Sequence, residues 1–164
     1  MPVNCVPNFE MCFETVEEAY EFYRSYAEKA GFPIKWNRKR TYGQDVTCSY
    51  EGAHKCAVAD IERKTSKTSR RAGCKAKVCI QQAKDGTGDY YYTRIWLHHN
   101  HVLNPGQNMT KCMRSHKSKD PAVTGLMDTT HASKVPHTNV MRVLRTVSGG
   151  SENLRFTERD IQNR

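Results

Sequence analysis

The sequence predicts an α+β protein: an N-terminal helix packed on a four-stranded antiparallel sheet, followed by a helical extension. Three observations predict it. One stretch near the N-terminus carries apolar residues at helical spacing. The stretches after it alternate apolar and polar residues, and beyond residue 119 the periodicity turns helical again.

The first helix is read from FETVEEAYEFYRSYAEKAGF. Thr15 followed three residues later by Glu18 is a capping-box signature. Ala19, Phe22, Tyr23, Tyr26 and Ala27 then recur on one face, and Gly31 supplies the stop, so the helix runs from Val16 to Ala30 with its aromatic stripe in the core. Phe32, Ile34 and Trp36 next alternate with Lys35 and Asn37, the pattern of a strand. Tyr42-Gly43-Gln44 reads as a turn, and a second strand covers residues 45–50. This hairpin's first arm ends in Arg38-Lys39-Arg40, and Trp36 shares the parity of Ile34, which assigns it to packing.

Residues 60–73, DIERKTSKTSRRAG, form a basic loop with little apolar content. In the third strand Cys74, Ala76, Val78 and Ile80 share one face, and Lys75, Lys77 and Cys79 share the other. The fourth strand, DYYYTRIWL, runs into His98-His99-Asn100-His101; Tyr91, Thr93, Ile95 and Leu97 have the parity of His99 and His101. A polar connector follows, then helices over residues 122–132 and 138–147, the second ended by Gly149-Gly150. Thr157 to Asp160 looks like a helix start close to the last residue, which is expected of a fragment or of a truncated family member. The domain reading is therefore residues 13–104, a linker over 105–118, and a helical extension over 119–164.

Composition bounds the function. The 164 residues hold 26 Lys and Arg against 17 Asp and Glu, a net +9. Such a surface calls for a polyanionic partner, most simply nucleic acid. No stretch approaches the roughly 18 to 20 apolar residues of a membrane span, so no membrane partner is expected. The N-terminus lacks the basic and apolar regions of a secretion signal. Seven cysteines without such a signal favour metal ligands or nucleophiles over disulfides.

Four residues stand out as a zinc site: Cys48, Cys74, His99 and His101. Zinc takes two thiolates and two neutral imidazoles in a tetrahedron, and these four lie at or beyond strand ends that one sheet edge can gather. Four protein ligands fill the site, which makes it structural. Cys56, Cys79 and His98 compete. Strand parity sets Cys79 and His98 apart, while Cys56 stays open.

The runs FETVEEAYEFYRSYAEKAGF, VTCSYEG, RRAGCKAKV and LHHNHVL, in that order, resemble the DNA-binding domain of the plant far-red-impaired-response family. That domain is similar to the N-terminal part of Mutator-like transposases, and its fold belongs with the WRKY and glial-cells-missing zinc domains. The resemblance reaches from about Phe13 to Leu103, and the stretch through SGGSENLRFTERDIQNR is similar to the segment that precedes a transposase-like domain in longer members. It implies one zinc ion in a C-C-H-x-H site on Cys48, Cys74, His99 and His101. It also implies a plant nucleus and a role in transcription regulation. The likeness to WRKY proteins themselves is weaker: the hairpin from Trp36 to Gln44 echoes their signature with inserted residues.

A two-stranded ribbon fits a major groove. Arg38 and Arg40 are the expected base-facing residues, since Arg grips guanine O6 and N7 with two bonds. Lys35 and Lys39 are expected on the DNA backbone, with Arg70, Arg71, Lys75 and Lys77 extending the phosphate track. The expected partner is double-stranded DNA, with other family members as a second partner class in a protein-interaction alternative. No enzyme is expected. His99-Asn100-His101 has three adjacent residues where an HNH nuclease disperses them, and no catalytic carboxylate set is legible. The two C-terminal helices, separated by Pro136 and with Arg142 and Arg145 on the second, permit a helix-turn-helix; plain packing or a linker role is the expectation.

Overall fold

A computed structural model describes residues 5–41, 43–53, 71–84, 86–104, 113–117 and 120–162, with the side chains of Arg38 and Arg40 outside that set. The chain divides into two units, Met1–Pro105 and Gly106–Arg164.

In the first unit the order is β1 (Cys12–Phe13), α1 (Val16–Ala30), β2 (Ile34–Arg40), β3 (Gly43–Cys48), β4 (Lys77–Gln82) and β5 (Tyr90–Trp96). The α+β class holds, but the sheet has five strands, ordered β1-β5-β4-β3-β2 and antiparallel throughout. The added strand is only Cys12–Phe13, paired with Tyr91 and Tyr90. Two residues are too few to carry an alternation.

Helix α1 is set by its own sequence. Thr15 Oγ1 accepts from Glu18 N at 3.1 Å, and Gly31 closes the other end at φ 90°, its N–H donating to Ala27 O. Ala19, Tyr23 and Ala27 are buried on its inner face. They pack on Phe13, Ile34, Val46, Val78, Ile80 and Tyr92 from the sheet.

Two pairings, β2–β3 and β4–β5, contain a bulge that the sequence pattern hides. In β2 the register slips between Trp36, opposite Val46, and Lys39, opposite Gln44. In β5 it slips beside Thr93, so Tyr92 lies opposite Ile80 and Ile95 opposite Val78. Tyr92 is therefore the buried ring, where strict alternation had grouped Tyr91 with Thr93 and Ile95. Strand β3 begins at Gly43, two residues earlier than read, and ends at Cys48. A Cβ on Gly43 would stand 2.3 Å from Ile80 O, so only glycine lets β3 approach β4 there. Cys74 lies before β4 rather than within it, although Cys74, Ala76, Val78 and Ile80 are all buried.

Two buried tyrosines differ in their hydroxyls. Tyr92 Oη donates to Ala19 O at 2.6 Å, whereas Tyr23 Oη is buried with no hydrogen-bond partner among the described residues. Tyr92→Phe is expected to cost about 1 kcal/mol, and Tyr23→Phe to be neutral or stabilising by up to about 1 kcal/mol. Urea denaturation of the two variants checks the contrast.

The second unit holds α2 (Pro121–Ala132), α3 (His137–Val147), a 3₁₀ turn (Ser151–Asn153) and α4 (Glu158–Gln162). Asp120 caps α2 by accepting from Ala122 N at 2.9 Å, with Pro121 at the first position. Met127, Val140, Met141, Leu144, Leu154 and Ile161 form a separate core. Lys117 Nζ donates to Asp160, and Thr157 N and Oγ1 donate to the same carboxylate at 2.7 Å each. Burial works against the charge of Asp160, but these bonds outweigh it and hold its carboxyl below the usual range. No described helix is long and apolar enough to cross a membrane.

Candidate metal centre and its basic hairpin

Three separate segments bring the four expected ligands together. Cys48 ends β3. The turn after it is closed by Glu51 N donating to Cys48 O at 3.0 Å. The chain returns alongside that turn: Ala72 N and Cys74 N both donate to Tyr50 O, at 2.9 and 3.2 Å, which sets Cys74 beside Cys48. The histidine loop follows β5 and is tied down twice. Asn100 Nδ2 donates to Ala72 O at 2.7 Å, and Asn104 N donates to Gly31 O at 2.9 Å.

The ligand atoms of Cys48, Cys74, His99 and His101 all lie within 4.8 Å of one another. Cys48 Sγ is 3.3 Å from His101 Nε2, Cys74 Sγ is 3.4 Å from His99 Nδ1, and the two ring nitrogens are 3.1 Å apart. A tetrahedral zinc site has edges of about 3.3 Å between two nitrogens and about 3.6 Å between sulfur and nitrogen, from the usual bond lengths. The donor set and its spacing thus fit a metal ion.

The surroundings fit it as well. His101 Nδ1 sits 3.0 Å from Val102 O, which places the proton on Nδ1 and turns the Nε2 lone pair toward the cluster. The His101 ring stacks on Tyr50 at 4.2 Å, and the His99 ring lies 4.2 Å from Phe32. Burial, helped by His101 and His98, lowers the His99 imidazole to about 4, so it is neutral at ordinary pH. Burial pushes the Cys48 thiol up to about 12; a backbone bond from Tyr50 opposes this and the neighbouring Cys74 adds to it. A thiol raised in this way needs a cation beside it before it can ionise.

The competing residues stand elsewhere or undescribed. Cys79 is buried opposite Asp45 and Arg94 in the sheet register, and His98 is exposed; neither belongs to the cluster. Cys56 lies outside the described residues.

The expected DNA contacts are distributed unevenly. Lys35, Arg38, Lys39 and Arg40 all lie on β2, and the register slip sets Lys39 opposite Gln44 and Arg40 opposite Gly43. Lys39 is exposed. Lys35 is not a free cation: its Nζ is 3.4 Å from Glu51 Oε2. Glu51 also accepts from Asn37 Nδ2 at 3.2 Å and from Thr47 Oγ1 at 3.1 Å, so one carboxylate binds the outer side of β2 to β3. Sequence reading missed Glu51, because its partners meet it only after the turn at Ser49-Tyr50 folds back. Across the sheet Thr47 lies opposite Lys77, and Lys77 opposite Trp96, which is 56% exposed. Arg71 and Lys75 are exposed beside Cys74; Arg70 lies outside the described residues. Trp36, assigned to packing, stacks on Tyr20 of α1 at 4.2 Å and keeps 38% exposure.

A helix-backed antiparallel sheet with a part-buried Cys₂His₂ cluster that could hold a metal ion defines a small domain of the α+β class. The chain belongs to the FAR1 DNA-binding domain family, whose profile matches residues 21–105. It is similar to three proteins of Arabidopsis thaliana. FAR1-RELATED SEQUENCE 5 is 30% identical over 161 residues, spanning 92% of this chain and 20% of that protein. FAR1-RELATED SEQUENCE 11 is 29% identical, spanning 98% and 25%. The putative protein FAR1-RELATED SEQUENCE 10 is 25% identical, spanning 96% and 24%. The chain thus spans a fifth to a quarter of the length of these curated relatives. No solved structure matches it significantly.

Proposed function

We propose that the chain is a sequence-specific DNA-binding module of a nuclear transcription regulator, and not an enzyme. Residues 13–104 would form the DNA-binding domain, residues 105–118 the linker and residues 119–164 the extension. One zinc ion held by Cys48, Cys74, His99 and His101 would stabilise the sheet, and the β2–β3 hairpin would enter the major groove. The observation that carries this reading is the layout of β3. Its last residue is the ligand Cys48, and its first, Gly43, adjoins the hairpin tip with Arg38-Lys39-Arg40 on the paired strand. Five residue steps separate the two ends, about 17 Å. A metal held there would stand clear of the DNA and act by fixing the frame.

Bound zinc would keep both thiolates ionised and cross-link three chain segments. The other roles belong to the protein's own groups. Arg38 and Arg40 would reach base edges, and Lys39, Arg70, Arg71, Lys75 and Lys77 would meet phosphates. Lys35, shared with Glu51, would hold the ribbon and contribute less to phosphate binding. Membership in the DNA-binding family and the net +9 support the partner.

Fluorescence anisotropy with labelled duplexes at several salt concentrations tests this. Affinity should fall steeply with salt. Arg38→Glu with Arg40→Glu should weaken binding by more than roughly ten-fold. Unchanged binding in that variant would move DNA contact away from the hairpin. If the native chain binds no duplex, the alternative takes first place: a module that binds longer family members.

A further inference from the structure

The reading above leaves α2 and α3 without a role. They are joined by only four residues, 133–136. Lys134 lies at φ 55°, its N–H donating to His131 O, and Val135 N donates to Thr130 O, both at 3.0 Å. These two bonds close the end of α2 with a left-handed residue and send the chain sharply away. Val135 packs on the second core, and Pro136 then precedes α3. Two helices sharing a core across a short link with a left-handed residue are the sequence of parts of a helix-turn-helix, where glycine often takes that position.

The outward face of α3 is the second observation. Val140, Met141 and Leu144 are buried. At about 100° per residue, Asn139, Arg142 and Thr146 fall on the side opposite, Val143 lies on its flank, and all four are exposed. Helix α3 carries Arg142 and Arg145 and no acidic residue. The whole unit from Gly106 to Arg164 has ten Lys and Arg against five Asp and Glu, a net +5. An ordinary solvated helix gains from mixed charges at i and i+4, which this one lacks, and it does not gain from Val143, 51% exposed. The four outward side chains match what base edges present in a major groove. Arg pairs with guanine O6 and N7, Asn pairs with adenine N6 and N7, and Val and Thr touch the thymine methyl. The basic charge suits the phosphates on either side.

We infer that α3 is a second DNA-reading element, the recognition helix of a helix-turn-helix whose Asn139, Arg142, Val143 and Thr146 face enters a major groove. The sequence alone favoured packing or a linker for these helices; burial confined to one side of α3 is what turns the reading. The inference rests on the proposed function for its ligand class, duplex DNA, and not for the hairpin's role.

The test selects bound sites from a random duplex pool with the full chain, and measures affinity and footprint for the native protein and three variants. In Asn139→Ala with Arg142→Ala, affinity should fall by roughly ten- to a hundred-fold, and one block of preferred bases should vanish while another stays. Arg142→Lys keeps the charge and the fold; it should keep most affinity and relax preference at one position. Arg38→Glu with Arg40→Glu should remove a different block. If the α3 variants select the native site with native affinity while the hairpin variant fails, the inference is overturned and the proposed function stands. The reverse pattern upholds α3 and removes the hairpin. If the native chain binds no duplex, or the α3 variants change only self-association, the face is a protein surface and the inference falls.

Discussion

Removing the proposed zinc ion is expected to unfold the first unit rather than loosen one edge. Cys48 and Cys74 are members of its core, with almost no exposure, so the site lies inside the packing. It joins the end of β3, the stretch before β4 and the loop after β5, which are held to one another otherwise by a few backbone bonds and Asn100. Structural zinc contributes on the order of 10–16 kcal/mol in small peptides at pH 7, as much as the whole stability of a typical domain. A chelator, or Cys74→Ser, should therefore abolish the cooperative thermal transition, and added zinc should restore it only in the native chain. Cys79→Ser is the control: it is buried in the same sheet but outside the cluster, so it should keep one zinc per chain. A metal-free chain with an unchanged melting curve would remove the zinc-scaffold reading.

Acid should act the same way, and the sign follows from the ligands. A proton and the metal compete for each sulfur. Without metal the Cys48 thiol is protonated up to about 12, so through the neutral range its share alone lowers metal affinity about ten-fold per pH unit of acidification. His99 is lowered to about 4 only while the site stays folded; once metal loss unfolds the unit its imidazole returns to the ordinary histidine range of about 6.5 and adds to the competition below that pH. Metal retention titrated from pH 8 to 5 should fall steadily, with loss of the fold following loss of metal.

The parts legible in the sequence are those whose causes are local or chemically narrow. Helix α1 carries its own cap, stripe and stop within Thr15 to Gly31, and all three act there. The cluster was legible because few side chains bind soft metals and because Ile95 and Leu97 set the parity for His99. Register was not legible. The slips at Asn37-Arg38 and at Thr93 come from how neighbouring strands pair, and alternation within one strand cannot record them. Tyr92 therefore took the core position, and the outer side of β2 could not be followed from Trp36 to Arg40. Glu51, Asn100, Tyr50 and Phe32 were missed for a related reason. Each supports the site through a partner distant in sequence, and none has a residue type that announces the role. The basic loop offered the opposite case: a strong charge signal in residues 54–70 that lie outside the described residues, Arg70 and Cys56 among them.

Phe32→Ala should have the second largest effect, because this ring joins the core to the metal centre. Phe32 has no exposure. It follows the glycine that ends α1, and its ring meets Tyr23 at 6.1 Å, Tyr26 at 5.9 Å and His99 at 4.2 Å. Truncation leaves a cavity among aromatic neighbours that are themselves fixed by α1, so relaxation is limited and the cost should be about 3–5 kcal/mol. The same truncation removes the wall against which the His99 imidazole rests. Losing a group that orients a ligand typically lowers metal affinity by roughly ten- to a hundred-fold. Two measurements separate these effects: urea denaturation at saturating zinc reads the cavity, and competition with a chromophoric chelator reads the ligand. Phe32→Leu keeps most of the apolar volume and should cost less than about 1.5 kcal/mol. Tyr50→Ala should also weaken metal binding, since Tyr50 stacks on His101, but with a smaller loss of stability because Tyr50 is only half-buried. If Phe32→Ala lowers stability while chelator competition stays at the native value, the ring is a core residue alone, and the orientation of His99 must come from the loop that Asn100 ties down.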